Sequence, residues 1–222
     1  MMRWHLALAA GLAAVAVHGC ETTPTRGQPA TREVAVERYQ KAMKYIREQN
    51  IDMALVTIQS AISADPSAAI YHHVYANLLA QKHQYVQAEL EYRAAIQRDP
   101  MYDPSWEGLV QVVRAQGDKE KVAVVLRDRV RISPLDAGWR LRLGKAYEAT
   151  GNLMGAEREL RAAADLGKGE QAAYAHVRLG LVYEALGRPG AAVREYEESL
   201  KLNPDQPQVR AILDQLEAPP KP

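Results

Sequence analysis

The chain of 222 residues contains no phenylalanine, one cysteine and 6% aromatic residues. One cysteine excludes an internal disulfide framework and a thiolate zinc site, since both need several sulfurs. Charge of one sign is not in excess either: 28 Lys+Arg face 27 Asp+Glu. A nucleic-acid-binding domain needs a net basic face against the phosphates, so no nucleic-acid partner is expected. No apolar run reaches the ~20 residues that a helix needs to cross a ~30 Å hydrocarbon core. Phosphate-cradling Gly-x-Gly-x-x-Gly and P-loop motifs are missing, and Gly167-Lys168-Gly169 has neither the upstream Gly nor the following Ser/Thr. The histidines offer no metal site: His72 and His73 are adjacent and point ~100° apart on a helix, His83 lies in a turn, and His176 is remote. No catalytic residue, cofactor, metal or small-molecule substrate is expected.

What is there begins with a leader. Arg3 precedes residues 6–17, LALAAGLAAVAV, an apolar run of 12. That length behind a positive start matches a secretory signal rather than a span. The run ends at Val17-His18-Gly19-Cys20, which resembles the lipobox of bacterial lipoproteins; Gly19 and Cys20 match, and His18 departs from the usual small residue. The resemblance implies acylation of Cys20, cleavage before it, and a membrane anchor through its acyl chains. In that family an Asp after the Cys retains the lipoprotein at the inner membrane, so the resemblance, with Glu21 there instead, implies the outer membrane. The expected divisions are a signal peptide over 1–19 and a flexible tether over 20–34, whose polar ETTPTRGQPATR has little to bury.

From there a 34-residue period dominates. Pro66, Pro100 and Pro134 are 34 apart, as are Ala54 and Ala88, Ala61 and Ala95, and Asp65 and Asp99. Gly144-x-x-Tyr147-x-x-x-Gly151 recurs at Gly180-x-x-Tyr183-x-x-x-Gly187, an offset of 36 that places a two-residue insertion near Gly167–Glu170. This pattern resembles tetratricopeptide repeat proteins. It divides the chain into repeats 35–68, 69–102, 103–136, 137–172 and 173–206, followed by a capping helix and tail over 207–222. The fold that the resemblance implies is all-α: a right-handed α-solenoid of five helix pairs with a C-terminal capping helix.

Each recurrent position has a physical task. Ala42, Ala76, Gly144 and Gly180 let the two helices of a pair cross closely, and Ala54, Ala88, Ala156 and Ala192 face them. Ile58, Tyr92, Leu126, Leu160 and Tyr196, one turn on, fill the pair. Gly117, Gly151 and Gly187 stop the first helix where a left-handed backbone is needed. Lys41 occupies a place that is Tyr or Leu elsewhere and suits a first repeat with no neighbour before it. Val209, Ile212, Leu213 and Leu216 form one apolar stripe after Pro207, the mark of a cap. Repeat three departs most. Val110 and Val122 enlarge both crossing positions, and Arg129 falls at an alanine position. Two readings stand: a widened repeat with Arg129 reaching out to water, or a hinge dividing 35–102 from 137–206.

With no reacting centre, the remaining site type is a groove. The resemblance implies a concave face lined by the first helices, which holds a protein or peptide partner. By register, that face carries Tyr39 and Met43 in repeat one, His73 and Asn77 in repeat two, and Gln111 and Arg114 in repeat three. Arg142 and Lys145 follow in repeat four, and Tyr174 and Arg178 in repeat five. Asn77 matches an Asn that some relatives use to clamp a peptide backbone. The Lys and Arg of their carboxylate clamp are missing from repeats one to three, so that specificity is not carried over. Arg142, Lys145 and Arg178 would form a basic strip favouring an acidic segment. The expected function is a non-enzymatic, lipid-anchored adaptor of an envelope complex, laid out like the pilotin lipoproteins of type IV pili. The alternatives are a soluble secreted repeat protein, or an adaptor in cell-wall or exopolysaccharide biogenesis.

Overall fold

The computed structural model describes residues 29–217; the leader, Cys20, most of the expected tether and the tail lie outside them. Among the described residues there are eleven α-helices and no strand. They are α1 (Pro29–Arg47), α2 (Ile51–Ala64), α3 (Ala69–Gln81), α4 (Tyr85–Arg98), α5 (Asp103–Ala115), α6 (Lys119–Ile132), α7 (Ala137–Ala149), α8 (Leu153–Leu166), α9 (Gly169–Ala185), α10 (Pro189–Leu202) and α11 (Pro207–Glu217). Consecutive helices pair as α1–α2 through α9–α10, and each pair stacks on the next.

The alanine ladder closes the pairs. Ala54, Ala88, Ala156 and Ala192 are all 0% exposed, and Ile58, Tyr92, Leu126, Leu160 and Tyr196 are buried beside them. Glycine at the facing position is a steric need. A Cβ on Gly144 would stand 2.6 Å from the Leu160 side chain, and one on Gly180 would stand 2.5 Å from the Tyr196 ring. Burial of such side chains from successive repeats is the main favourable term, at about 1.5–3 kcal/mol for each large residue.

The left-handed stop recurs in all five repeats. Gly117, Gly151 and Gly187 have φ of 82°, 74° and 69°, and the same register holds Gln49 at 58° and His83 at 59°. An L-residue there costs ~1–2 kcal/mol that glycine avoids, while glycine loses more chain entropy on folding. Gln49→Gly is therefore expected to stabilise the protein by about 0.5 kcal/mol, read as a rise in the urea midpoint at unchanged slope.

The turns between repeats are tied by one recurrent bond. A side chain six residues on reaches back to the proline carbonyl: Trp106 Nε1 donates to Pro100 (2.9 Å), Arg140 Nε to Pro134 (2.6 Å) and Arg210 Nη2 to Pro204 (2.7 Å). His72 Nε2 stands 3.3 Å from the Pro66 oxygen, and its Nδ1 meets Glu91 at 2.7 Å. Ion pairs also step from one repeat to the next, among them Lys82–Asp52 (2.7 Å), Lys121–Glu89 (2.7 Å) and Arg188–Glu157 (3.3 Å). Glu89 and Glu157 are buried, so those pairs carry more weight than the exposed one.

Two boundaries differ from the sequence expectations. Helix α1 starts at Pro29, so residues 29–34 of the expected tether are its first turns. Proline is well placed at a helix start, and Arg32 reaches Asp65 at the far end of α2 (3.7 Å). Helix α9 starts at Gly169 rather than 173 and is 17 residues long, whereas α3, α5 and α7 have 13. The two inserted residues thus become one added helical turn and a shorter loop. The cap forms as expected: Val209 and Leu213 are buried against the Tyr183–Tyr196 cluster.

Repeat three is widened. Helices α5 and α6 approach one another least closely of the five pairs, while the junctions α4–α5 and α6–α7 are no looser than α2–α3. Arg129 does not reach water. It is 2% exposed, its Nε and Nη2 donate to Asp103 Oδ1 at 2.9 and 2.6 Å, and its guanidinium lies 5.3 Å from the Trp139 ring centroid. The space left by the separated helices is filled by the arginine itself, which joins α5, α6 and α7.

Candidate groove on the first-helix face

Helix α3 approaches α5, and α7 approaches α9, so the first helices are neighbours along one face. The ten candidate groove residues separate into two groups on it. Toward the N-terminal end the polar groups satisfy each other. Asn77 Oδ1 accepts from the Tyr92 hydroxyl, and Asn77 Nδ2 lies 3.0 Å from His73 Nε2. With Nε2 accepting from Asn77, His73 Nδ1–H donates to Ser105 Oγ at 3.1 Å. The His73 ring also packs edge-on against Tyr102 at 5.1 Å, and Tyr39 packs on Tyr71 at 5.2 Å. Met43 sinks into the N-terminal core. Asn77 is thus engaged within the chain and not poised alone for a peptide backbone.

Burial sets the protonation of this cluster. It pushes the Tyr92 hydroxyl up to about 12 and holds the His73 imidazole below its usual 6.5. For Glu89, burial alone would raise the pKa, but hydrogen bonds from Lys121, Arg93 and Gln116 outweigh it and bring the carboxyl below 4.5. The folded state therefore binds fewer protons than the unfolded chain at both groups. Their stabilisation is complete above the unfolded values and is lost as pH falls through the folded ones. Melting temperature is expected to drop in two stages, one beginning near pH 6.5 and one below pH 4.5. In His73→Gln the first stage is reduced; an unchanged profile between pH 7 and pH 5, on the order of the window a depressed histidine spans, would refute the assignment.

The C-terminal group is cationic and open. Arg114 and Lys119 make no ion pair or side-chain hydrogen bond among the described residues. Lys145 rests 5.3 Å from the Tyr174 ring centroid. Arg142 lies 4.4 Å from the Trp139 centroid and donates to Glu107 at 3.0 Å. Arg178, expected in the same strip, is withdrawn from it: Nη2 and Nε donate to the Glu148 carboxylate at 2.8–3.1 Å. The strip is therefore centred on repeats three and four, with Arg114 in place of Arg178.

Two depressions meet there. A smaller one of about 280 Å³ is lined by Glu107, Val110, Gln111, Arg114, Arg142 and Lys145. A larger one of about 370 Å³ shares Arg114, Arg142 and Lys145 and continues over Val122, Ala146 and Ala149 to Lys119. Register explains the larger cavity. Ala146 occupies the place of Leu78, Val112 and Val182, which are buried in repeats two, three and five, so the smaller side chain leaves room above the floor. Sequence reasoning missed Lys119, Val122, Ala146 and Ala149. The alanine among larger residues at one repeat position was the available signal.

Comparison with known proteins agrees with this architecture. Residues 141–207 match the tetratricopeptide repeat family. No curated protein matches the chain. Among solved structures, the chain resembles YrrB, a tetratricopeptide protein described as having an unusual peptide-binding site, with a TM-score of 0.61 at 18% identity over 80% of this chain and 91% of that one. It also resembles MamA from Desulfovibrio magneticus RS-1, residues 41 to the end, with a TM-score of 0.59 at 17% identity over 78% and 97%. A further MamA structure covers 86% of this chain and 99% of its own, with a TM-score of 0.60 at 15% identity. Likeness at these identities establishes the fold: a tetratricopeptide α-solenoid with a C-terminal capping helix. Among the described residues no cluster of three or more His, Cys, Asp or Glu is placed to hold a metal. No described helix is long and apolar enough to cross a membrane.

Proposed function

We propose that the protein is a non-enzymatic scaffold that holds a partner segment along its first-helix face and is tethered to a bacterial outer membrane through acylated Cys20. One observation carries the binding reading: Arg114 and Lys119, which have no ion-pair partner among the described residues, and Lys145 surround an apolar floor at the edge of that face, where the α5–α6 turn meets α7. Clefts lined by cations attract oppositely charged partners, and stacked helix pairs supply an extended surface for them. The membrane address rests on Val17-His18-Gly19-Cys20 behind its apolar run. In this reading the solenoid assembles or stabilises an envelope complex, with the machinery of type IV pili or secretion as the class its layout resembles.

Two measurements test the two halves separately. Metabolic labelling with a fatty-acid analogue is expected to mark the wild type and leave Cys20→Ala unlabelled; no labelling of either turns the reading to a soluble secreted scaffold. Co-purification of a partner from solubilised envelope is expected with the wild type and lost when Arg114 and Lys145 are both changed to Glu at unchanged helicity. Retention of the partner by that variant would remove the groove from the account.

A further inference from the structure

The cavity beside Ala146 carries a more specific statement, which rests on the groove reading above. Its floor is apolar: Val122, Ala146 and Ala149. Its rim holds four cations, Arg114, Lys119, Arg142 and Lys145, and one carboxylate, Asp118. Asp118 Oδ1 accepts from Lys121 N at 2.8 Å and caps α6, which fixes that carboxylate at the start of the helix. Glu107, in the adjoining depression, is held by Arg142. One carboxylate against four cations leaves the rim with a net positive charge.

We infer that this cavity receives an apolar side chain of the partner, and that the residues flanking that side chain are acidic. An apolar group displaces water from the floor, which gains nothing from a polar one. Acidic neighbours on the same segment meet the cationic rim at hydrogen-bonding range, where Arg pairs with carboxylates in a forked geometry. The volume of about 370 Å³ falls within the range of ligand-binding pockets, about 300–1,000 Å³, and admits a leucine- or methionine-sized group with its backbone. An extended segment is favoured over a small amphipathic acid. The cavity adjoins the smaller depression over Val110 and Gln111 and shares three cations with it. A small acid would leave that continuation empty.

The same register that opens the cavity supplies a conservative way to close it. Leu78 occupies the matching place in repeat two and is 3% exposed, so the fold accepts leucine there. Random peptides of about 12 residues, long enough to follow two stacked repeats when extended, are displayed on phage and selected on the full chain. Selection on the wild type is expected to enrich sequences with one apolar residue bracketed by Asp or Glu. The best of these, synthesised with a fluorescent label, is expected to bind Ala146→Leu at least about tenfold more weakly, the scale of losing one buried apolar group. A comparable loss is expected for Arg114→Gln/Lys145→Gln, with a shallower salt dependence because fewer charges are engaged. Circular dichroism and melting confirm that both variants fold. Enriched peptides without acidic residues, or undiminished binding to Ala146→Leu, would overturn this inference and leave groove binding intact. Displacement of the peptide by octanoate at comparable concentration would assign the cavity to a small acid and overturn it as well. No enrichment over a blank surface would remove both readings.

Discussion

Asp103→Ala is expected to destabilise the solenoid by about 3 kcal/mol, the low end of the cost of stripping one partner from a buried ion pair. Arg129 is 2% exposed and its Nη1 already has no hydrogen-bond partner. Asp103 supplies the only carboxylate bonded to it among the described residues. Because the Asp103 side chain is 48% exposed, water enters partly when it is removed, and the upper end of the range is not reached. The complementary substitution separates charge from packing. Arg129→Met keeps an unbranched chain beneath Trp139 and discards the buried charge together with the orphaned Nη1. Its expected effect lies between neutral and about 1 kcal/mol of stabilisation, as for other buried pairs exchanged for apolar residues. Urea unfolding of the two variants checks this. If Asp103→Ala were near neutral and Arg129→Met costly, the guanidinium would be acting by hydrogen bonding to something other than Asp103.

The second large effect is local. Tyr196→Ala removes a ring that is 0% exposed, packed where Gly180 has no Cβ, with its hydroxyl bonded to Glu184. The expected cost is about 4 kcal/mol, typical of an aromatic deleted from a core. A solenoid couples each repeat to its neighbours only, so the loss concentrates in the helices packed on Tyr196. Tyr196 shares its cluster with Val209 and Leu213 of the cap. Helices α9, α10 and α11 are therefore expected to lose amide protection while α1 to α4 keep theirs, resolved by hydrogen exchange. Protection falling evenly over 35–206 would show that the chain unfolds as one unit instead.

Most of the architecture could be read from residue spacing because a repeat states each physical requirement several times. Small residues at the crossings and glycines at the left-handed stop are bounded by sterics, and sterics act locally. Gln49 and His83 show the limit: both adopt the left-handed backbone with no glycine to announce it, because the surrounding pair imposes the turn. The start of α1 is hidden in the sequence for a similar reason. Residues 29–34 have little to bury, yet once the paired helix is nucleated each added residue extends it at small cost. For Arg129, register conveys the size of the side chain and not its direction. Its register position is an alanine elsewhere, but the partners that turn it inward, Asp103 and Trp139, lie 26 residues before it and on the next repeat.

The groove was legible as a face and not as a charge pattern. Counting cations by register placed Arg178 in the strip, but Glu148, 30 residues earlier on the neighbouring first helix, takes it out. Arg142 and Glu107 are likewise 35 apart. Which cations stay free depends on pairings across the stack, and these follow from side-chain reach rather than from the repeat pattern. The cavity next to Ala146 is a further product of one small residue in a row of larger ones.

The most direct test of the account is photo-crosslinking in the cell that makes the protein, with a benzoylphenylalanine placed at Gln111 on the groove or at Gln59 on the exposed side of α2. The account predicts a discrete partner adduct from position 111, weakened by Arg114→Glu/Lys145→Glu, and none from position 59. The same adduct from position 59, with position 111 silent, would contradict it.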